Sequence, residues 1–113
     1  DQVYQNLVKA NNTRGLSLIT ETHSKTKTSF FRRLYVAYLI DAGVHTVPAI
    51  IEATGMPRRT AQDTILALKE LGIDCEFVGG TKSGYYRIND WGAIFKPWVE
   101  EHLRHIKDVL QYP

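Results

Sequence analysis

The stretch that decides the fold is VPAIIEATGMPRRTAQDTILALKELGI, residues 47–73. It contains two runs of helical spacing, and Gly55 separates them. Two helices that cross steeply need a joint residue that tolerates positive φ, and glycine does so without a steric penalty. The stretch therefore predicts a pair of packed helices with Gly55 at their joint.

Each helix of the pair has boundary signals and an inward face. Thr46 is a good N-cap, and Pro48 falls in the first turn, where its missing N–H does no harm. The second helix is predicted over residues 57–71 and stops at Gly72. The side chains predicted to face the core are Val47, Ile50 and Ile51 in the first helix, Met56 in the turn, and Ala61, Ile65, Leu68 and Leu71 in the second.

The remaining face of the second helix is mostly polar. Arg58 and Arg59 suit guanine O6/N7, Gln62 suits adenine N6/N7, and Thr60 at the edge can serve a base or a phosphate. Asp63 could accept from cytosine N4 or pair with the arginine four residues before it, and we favour the pair. The N-terminal part of a recognition helix is the part that reaches base edges. The face therefore predicts a DNA-contacting surface, with a solvated basic turn as the alternative.

Segments on either side complete the pattern. The apolar spacing of SFFRRLYVAYLIDAG predicts a helix over residues 29–42, capped by Ser29 or Thr28 and ended by Gly43. Before it, DQVYQNLVKA indicates a short helix over residues 1–10, and residues 16–28 are expected to be mostly irregular.

After the helix pair the period changes to about two. IDCEFVG and GYYRIND predict strands on either side of the loop GGTKSG, which together make a hairpin. KPWVEEHLRHIKDVLQ then predicts one helix that starts near Pro97. Its narrow apolar seam is Val99, Leu103, Ile106 and Leu110.

This order predicts a mainly α fold with a small β-hairpin, the winged helix-turn-helix. The chain, residues 1–113, is expected to be a single domain. Its three-helix core and wing would occupy residues 29–90, between an N-terminal extension, residues 1–28, and a C-terminal helix within residues 91–113.

Basic residues outside the helix pair could contact the DNA backbone. Lys82 lies between flexible glycines at the predicted wing tip, where a mobile cation suits a phosphate. Arg32 and Arg33 belong to the densest basic cluster; a solvated arm is the alternative. The full predicted DNA-binding set is Arg58, Arg59, Thr60, Gln62, Asp63, Lys82, Arg32 and Arg33.

The string TGMPRRTAQDTI, followed by CEFVG and by Asp90-Trp91-Gly92 after the hairpin, resembles winged helix-turn-helix domains of bacterial transcriptional regulators. It is most similar to a small, largely uncharacterised bacterial family to which DNA binding is assigned by inference. The resemblance covers roughly residues 30–95 and implies a DNA-binding role. Most such regulators carry Ser or Thr where this chain has Pro57. The proline cannot provide a side-chain cap, but its ring fixes the backbone φ at the entry to the helix.

Composition restricts the remaining classes. Hydrophobic and charged contents of 43% and 23% are ordinary for a globular protein, and a net charge of +2 requires any basic footprint to be local. One cysteine rules out an intrachain disulfide framework. No membrane span, signal peptide, catalytic constellation or metal-ligand spacing is visible, and His102 and His105 lack a third ligand. We therefore expect a cytoplasmic protein that is not an enzyme and has no metal or cofactor.

The expected partners are double-stranded DNA and a second copy of the chain. The apolar seam of the C-terminal helix predicts a homodimer, because two half-sites raise affinity and specificity, although the seam could instead pack on its own domain. Two other functions remain open. One is a winged-helix protein-interaction module without DNA binding, favoured by the low net charge and by Leu66 if it is exposed. The other is a small-molecule sensor.

Overall fold

A computed structural model of the chain describes residues 23–113. Three helices come first in that part of the chain, then a hairpin, then two short helices. The elements are α1 (Lys25–Asp41), α2 (Val47–Thr54), α3 (Arg58–Ala67), β1 (Asp74–Val78), β2 (Tyr85–Asp90), α4 (Lys96–Glu101) and α5 (Leu103–Leu110). The predicted mainly α fold with a two-stranded wing is confirmed. The predicted helix at residues 1–10 lies outside the described residues.

The first helix starts earlier than its apolar pattern suggests. The Ser24 hydroxyl accepts from the Lys27 N–H at 3.0 Å, which makes Ser24 the N-cap. The expectation that residues 25–28 are irregular, with the cap at Thr28 or Ser29, is therefore wrong. The first turn is all polar and carries no periodicity, so only the cap could have revealed it.

The turn between α2 and α3 is built as predicted. The Thr46 side chain accepts from the Ala49 N–H at 3.2 Å, and Gly55 ends α2 with φ 81°. Met56 is 4% exposed and fills the angle between the helices. Its N–H donates to the Thr54 hydroxyl at 3.1 Å, so the tight turn leaves this donor satisfied.

The helix predicted over residues 57–71 has two parts. Regular α-helix covers α3, and residues Leu68–Leu71 form a 3₁₀ turn before Gly72, whose φ is 81°. The Ile73 N–H donates to the Leu68 carbonyl at 3.2 Å. Tightening the last turn satisfies carbonyls at the helix end and directs the chain into β1.

The hairpin forms the wing. β1 and β2 pair antiparallel, with Val78 opposite Tyr85 beside the connecting loop. The Tyr86 N–H also donates to the His45 carbonyl at 2.8 Å. This bond fixes the wing beside the start of α2.

The predicted C-terminal helix is interrupted at His102, which separates α4 from α5. His102 has φ −112°, and its ring nitrogen Nδ1 lies 2.7 Å from the Trp98 carbonyl. The imidazole also stacks on the Trp98 indole, with ring centroids 4.0 Å apart. These local contacts favour a non-helical conformation at His102. The sequence has no proline or glycine there that would have predicted the break.

Two apolar cores share α1. One lies beneath the helix-turn-helix and the wing, and the other joins α1 to α4 and α5. Of the predicted C-terminal seam, Val99 and Ile106 are buried in this second core, while Leu103 and Leu110 are only half-buried. The buried members of the first core are Val36, Ala37, Ile40, Val47, Ile50, Met56, Ala61, Ile65, Leu68 and Ile73. Those of the second are Phe31, Leu34, Tyr35, Leu39, Val99, Ile106 and Val109.

Gly92 supports a close backbone approach that a side chain would prevent. Its φ is +62°, and a Cβ there would collide with the backbone of Gly72. We expect Gly92→Ala to lower the free energy of unfolding by about 2 kcal/mol or more, measured by urea unfolding. Gly80→Ala is the matched control, because a Cβ at Gly80 meets nothing within 4 Å. Equal losses for the two variants would contradict this packing role.

Candidate nucleic-acid interface

The outward face of α3 is a stripe of four exposed side chains. Arg59, Gln62, Asp63 and Leu66 are all exposed, and Ala61 on the opposite side is fully buried. Their spacing of three, four and seven residues places them on one side of a helix. The stripe is therefore presented to solvent because the other side of α3 is anchored in the first core.

Two arginines begin this helix without a competing cap. Pro57 occupies the N-cap position and provides no side-chain cap hydrogen bond. Arg58 and Arg59 are both exposed. The predicted pair between Arg59 and Asp63 is present at 3.7 Å, but the two side chains are 90% and 66% exposed. Such a pair is weak, so the guanidinium can exchange it for another anion.

A groove of about 280 Å³ runs between α1 and α3. Arg32 and Arg33 reach it from α1, and Thr60 and Asp63 reach it from α3. Four of the predicted site residues thus meet along the flank of α3. Arg33 pairs with Glu70 at 3.7 Å, whereas no ion pair joins Arg32 to any of residues 23–113. The groove therefore keeps a cation beside the outward stripe.

Lys82 lies in a second groove, of about 300 Å³, between the wing and the start of α2. Thr46, Pro48 and Tyr86 contribute to its lining, together with Phe77, which is 49% exposed. Phe77 meets the Tyr86 ring edge-on, with centroids 5.0 Å apart. The wing thus presents a lysine beside a half-exposed aromatic ring.

Arg87 and Glu76 on the wing strands compensate each other's charge. Arg87 donates to the Glu76 carboxylate, and the Asn89 amide donates to the same carboxylate at 2.8 Å. The hydrogen bonds from Asn89 and Arg87 lower the pKa of Glu76. Bonding and charge from Glu76 in turn raise the pKa of Arg87. The side chain of Arg87 is therefore held against its own strand pair. Lys82 is the cation of the loop that connects the two strands.

Some contacts around the interface had no signal in the sequence. Glu70 meets Arg33, and Thr46 and Phe77 meet the groove of Lys82, only through the folding of distant segments. The exposure of Leu66, by contrast, was already indicated by helical spacing. Periodicity identifies a face, but it does not say which other element lies beside that face.

Residues 23–113 contain neither a metal-binding cluster nor a membrane-spanning helix. No group of three His, Cys, Asp or Glu side chains there could hold a metal ion. In the same part of the chain no helix combines the length and the apolar character needed to cross a bilayer.

Comparison with known proteins agrees with the winged helix-turn-helix fold. Residues 25–110 match the family model described as winged helix-turn helix. A similar solved structure is that of a DUF2131 family protein from Shewanella amazonensis SB2B, with 38% sequence identity and a TM-score of 0.76. That match covers 83% of this chain and 94% of the other. No curated protein matches the chain. These matches confirm the resemblance drawn from the helix-turn-helix and wing motifs.

Cys75 on β1 of the wing is a half-buried free thiol, whose reactivity depends on its pKa. Burial, and then the charges of Asp74 and Glu76, raise the pKa of this thiol to about 11. The thiolate is the reactive form, so the thiol should be nearly inert at neutral pH. We expect a disulfide reagent to react at pH 7.5 at least about tenfold more slowly with the folded than with the urea-unfolded protein, and faster as pH rises toward 11.

The single cysteine makes this measurement unambiguous. Cys75→Ser should abolish the signal and serves as the blank. Fast modification of the folded protein at neutral pH would contradict a raised pKa of the Cys75 thiol.

Proposed function

The chain belongs to the winged helix-turn-helix family, and from this premise we propose that it binds double-stranded DNA through α3. One observation carries the proposal. The outward stripe of α3 combines Arg59 and Gln62, which suit base edges, and it is flanked by the groove of Arg32. A base-reading face with a backbone anchor beside it is what sequence-specific binding requires.

In this proposal α3 lies in the major groove. Arg58 and Arg59 reach guanine or phosphate, Gln62 reads adenine, and Thr60 contacts the backbone from the edge of the flanking groove. The first-turn N–H groups after Pro57 add donors for a phosphate. Asp63 holds Arg59 until the guanidinium meets DNA.

Arg32, Arg33 and Lys82 supply backbone contacts in this proposal. Arg32 is the stronger candidate on α1, because Arg33 is already near Glu70. Lys82 on the wing would meet the phosphates or the minor groove next to the site read by α3. Three cations on two sides of the stripe would fix the register of the helix.

The wider role that we propose is transcription regulation in a bacterial cytoplasm. A protein that reads duplex DNA is suited to occupy an operator, and the similar protein from Shewanella amazonensis SB2B supports a bacterial origin. We keep the expectation that the chain is not an enzyme as part of this proposal.

We also propose a homodimer through the C-terminal region. Val99 and Ile106 are buried in the core of their own chain. The contact between the two copies would therefore use the outer side of α4 and the residue just before it. Phe95 is 71% exposed and Trp98 is 39% exposed there. A two-fold pairing at this surface would present two copies of α3 to two half-sites.

A protein-interaction module is the second candidate function. The same exposed Phe95, together with Leu66 at 68% exposure, gives apolar contact points that a partner protein could cover. This function predicts no salt-dependent affinity for DNA fragments.

Arg59→Ala and Lys82→Ala should separate base reading from backbone contact. Selection from a random DNA pool supplies the site. We expect Arg59→Ala to lose about 1–3 kcal/mol of discrimination at one base pair. Lys82→Ala should weaken all sequences alike and reduce the salt slope by about 1.

Arg104→Ala is the matched control, because Arg104 is an exposed arginine on α5, away from the stripe. Its affinity and salt slope should equal those of the wild type. If Arg58→Ala/Arg59→Ala binds DNA with unchanged affinity and slope, α3 is not the reading helix.

Sedimentation velocity tests the dimer. We expect the wild-type protein to sediment as a dimer at micromolar concentration and Phe95→Ser to shift it to the monomer, because the interface would lose its most exposed apolar side chain. Leu66→Ser, which removes an exposed leucine from α3, should leave the dimer intact. A wild-type monomer at all concentrations up to about 100 times the DNA-binding Kd would contradict the proposal.

A further inference from the structure

Leu66 is an apolar side chain on an otherwise polar surface. It is 68% exposed, whereas Ile65 beside it is 6% exposed. Single exposed leucines are common and need no explanation by themselves. The position of this one on α3 is what gives it a consequence.

Leu66 is the fourth member of the outward stripe. It follows Arg59 by seven residues, which on an α-helix places it within about 20° of the same direction and ~10.5 Å further along the axis. A recognition helix that lies along the major groove can read bases beyond its first turn, with side chains spaced three, four and seven residues apart. Arg59, Gln62, Asp63 and Leu66 have this spacing.

The flanking groove extends as far as Leu66. Its lining on the α3 side continues from Thr60 through Thr64 to Ala67, and Arg32 lies across from these residues. A phosphate strand held there would run beside the whole stripe and not only beside the first turn. The helix would then lie along the major groove, with Leu66 at the level of the bases.

A leucine at that depth has one good partner. It offers no hydrogen bond, and the major-groove edges of guanine, adenine and cytosine present polar groups that it would desolvate. The C5-methyl group of thymine is the apolar feature of the groove. At 3.4 Å per base pair, the distance along α3 corresponds to about three base pairs from the one contacted by Arg59.

We propose that Leu66 is a specificity-determining residue that contacts the C5-methyl group of a thymine about three base pairs from the pair contacted by Arg59. The inference rests on the proposed function, because it requires that α3 bind DNA. It adds a base preference that polar readout alone would not give.

The test replaces thymine by uracil, which removes only the methyl group. Each thymine of the selected site is changed singly, and Kd is measured by fluorescence anisotropy at fixed salt. Uracil at one position should weaken wild-type binding about fourfold, the effect of one buried methylene-sized group. Leu66→Ala should weaken binding to the thymine site by a similar factor and should bind the uracil and thymine sites equally.

Gln62→Ala is the matched control from the same stripe. It should lose affinity but keep the full uracil penalty, because its predicted partner is a different base. Leu66 is exposed, so Leu66→Ala should unfold at the same urea midpoint as the wild type, which separates a lost contact from a lost fold.

The outcomes distinguish the two proposals. Failure of the wild-type protein to bind DNA would overturn the proposed function and this inference together. DNA binding with no uracil-sensitive position would leave the proposed function standing and overturn the role of Leu66. A uracil penalty that persists in Leu66→Ala would do the same, because the methyl group would then be read by another residue.

Discussion

Burial of two opposite faces of α1 is the constraint on which the described structure depends. Val36 and Ile40 on one face hold the helix-turn-helix and the wing, and Leu34 and Leu39 on the other hold α4 and α5. One helix therefore belongs to two cores, and each core lacks a wall without it. Such a helix has little surface left for polar residues, and Arg32 and Arg33 in the middle of α1 are both half-buried.

This constraint also locates the candidate interface. With one side of α1 committed to the first core, Arg32 lies at the edge next to α3 and forms the flanking groove. Ala61 keeps α3 anchored, so its remaining face is presented outward as a continuous stripe. The DNA-binding proposal therefore follows from packing as much as from residue type. In this proposal Arg59 and Gln62 can read bases because the other side of α3 is buried.

Local signals in the sequence predicted the centre of the fold well. The N-cap at Thr46, the turn at Gly55 and the buried Met56 each depend on residues only a few positions away. Their spacing in the sequence was therefore enough to predict them. Features that depend on distant segments were not predictable in this way. The Arg33–Glu70 pair joins α1 to the 3₁₀ turn after α3, and the folding of the wing against α2 decides which residues border Lys82. The break at His102 is different, because it accompanies a local stacking contact with Trp98 and has no proline or glycine to signal it.

Amide chemical shifts recorded during a titration with the selected DNA duplex would show whether α3 is the helix that contacts DNA. If it is, the largest shifts should fall on residues 58–66 of α3, on the wing loop around Lys82 and on Arg32 of α1. Val99 and Ile106 in the second core should stay unchanged. Shifts centred on Phe95 and Trp98 with α3 unaffected, or no shifts at low salt, would contradict this role of α3.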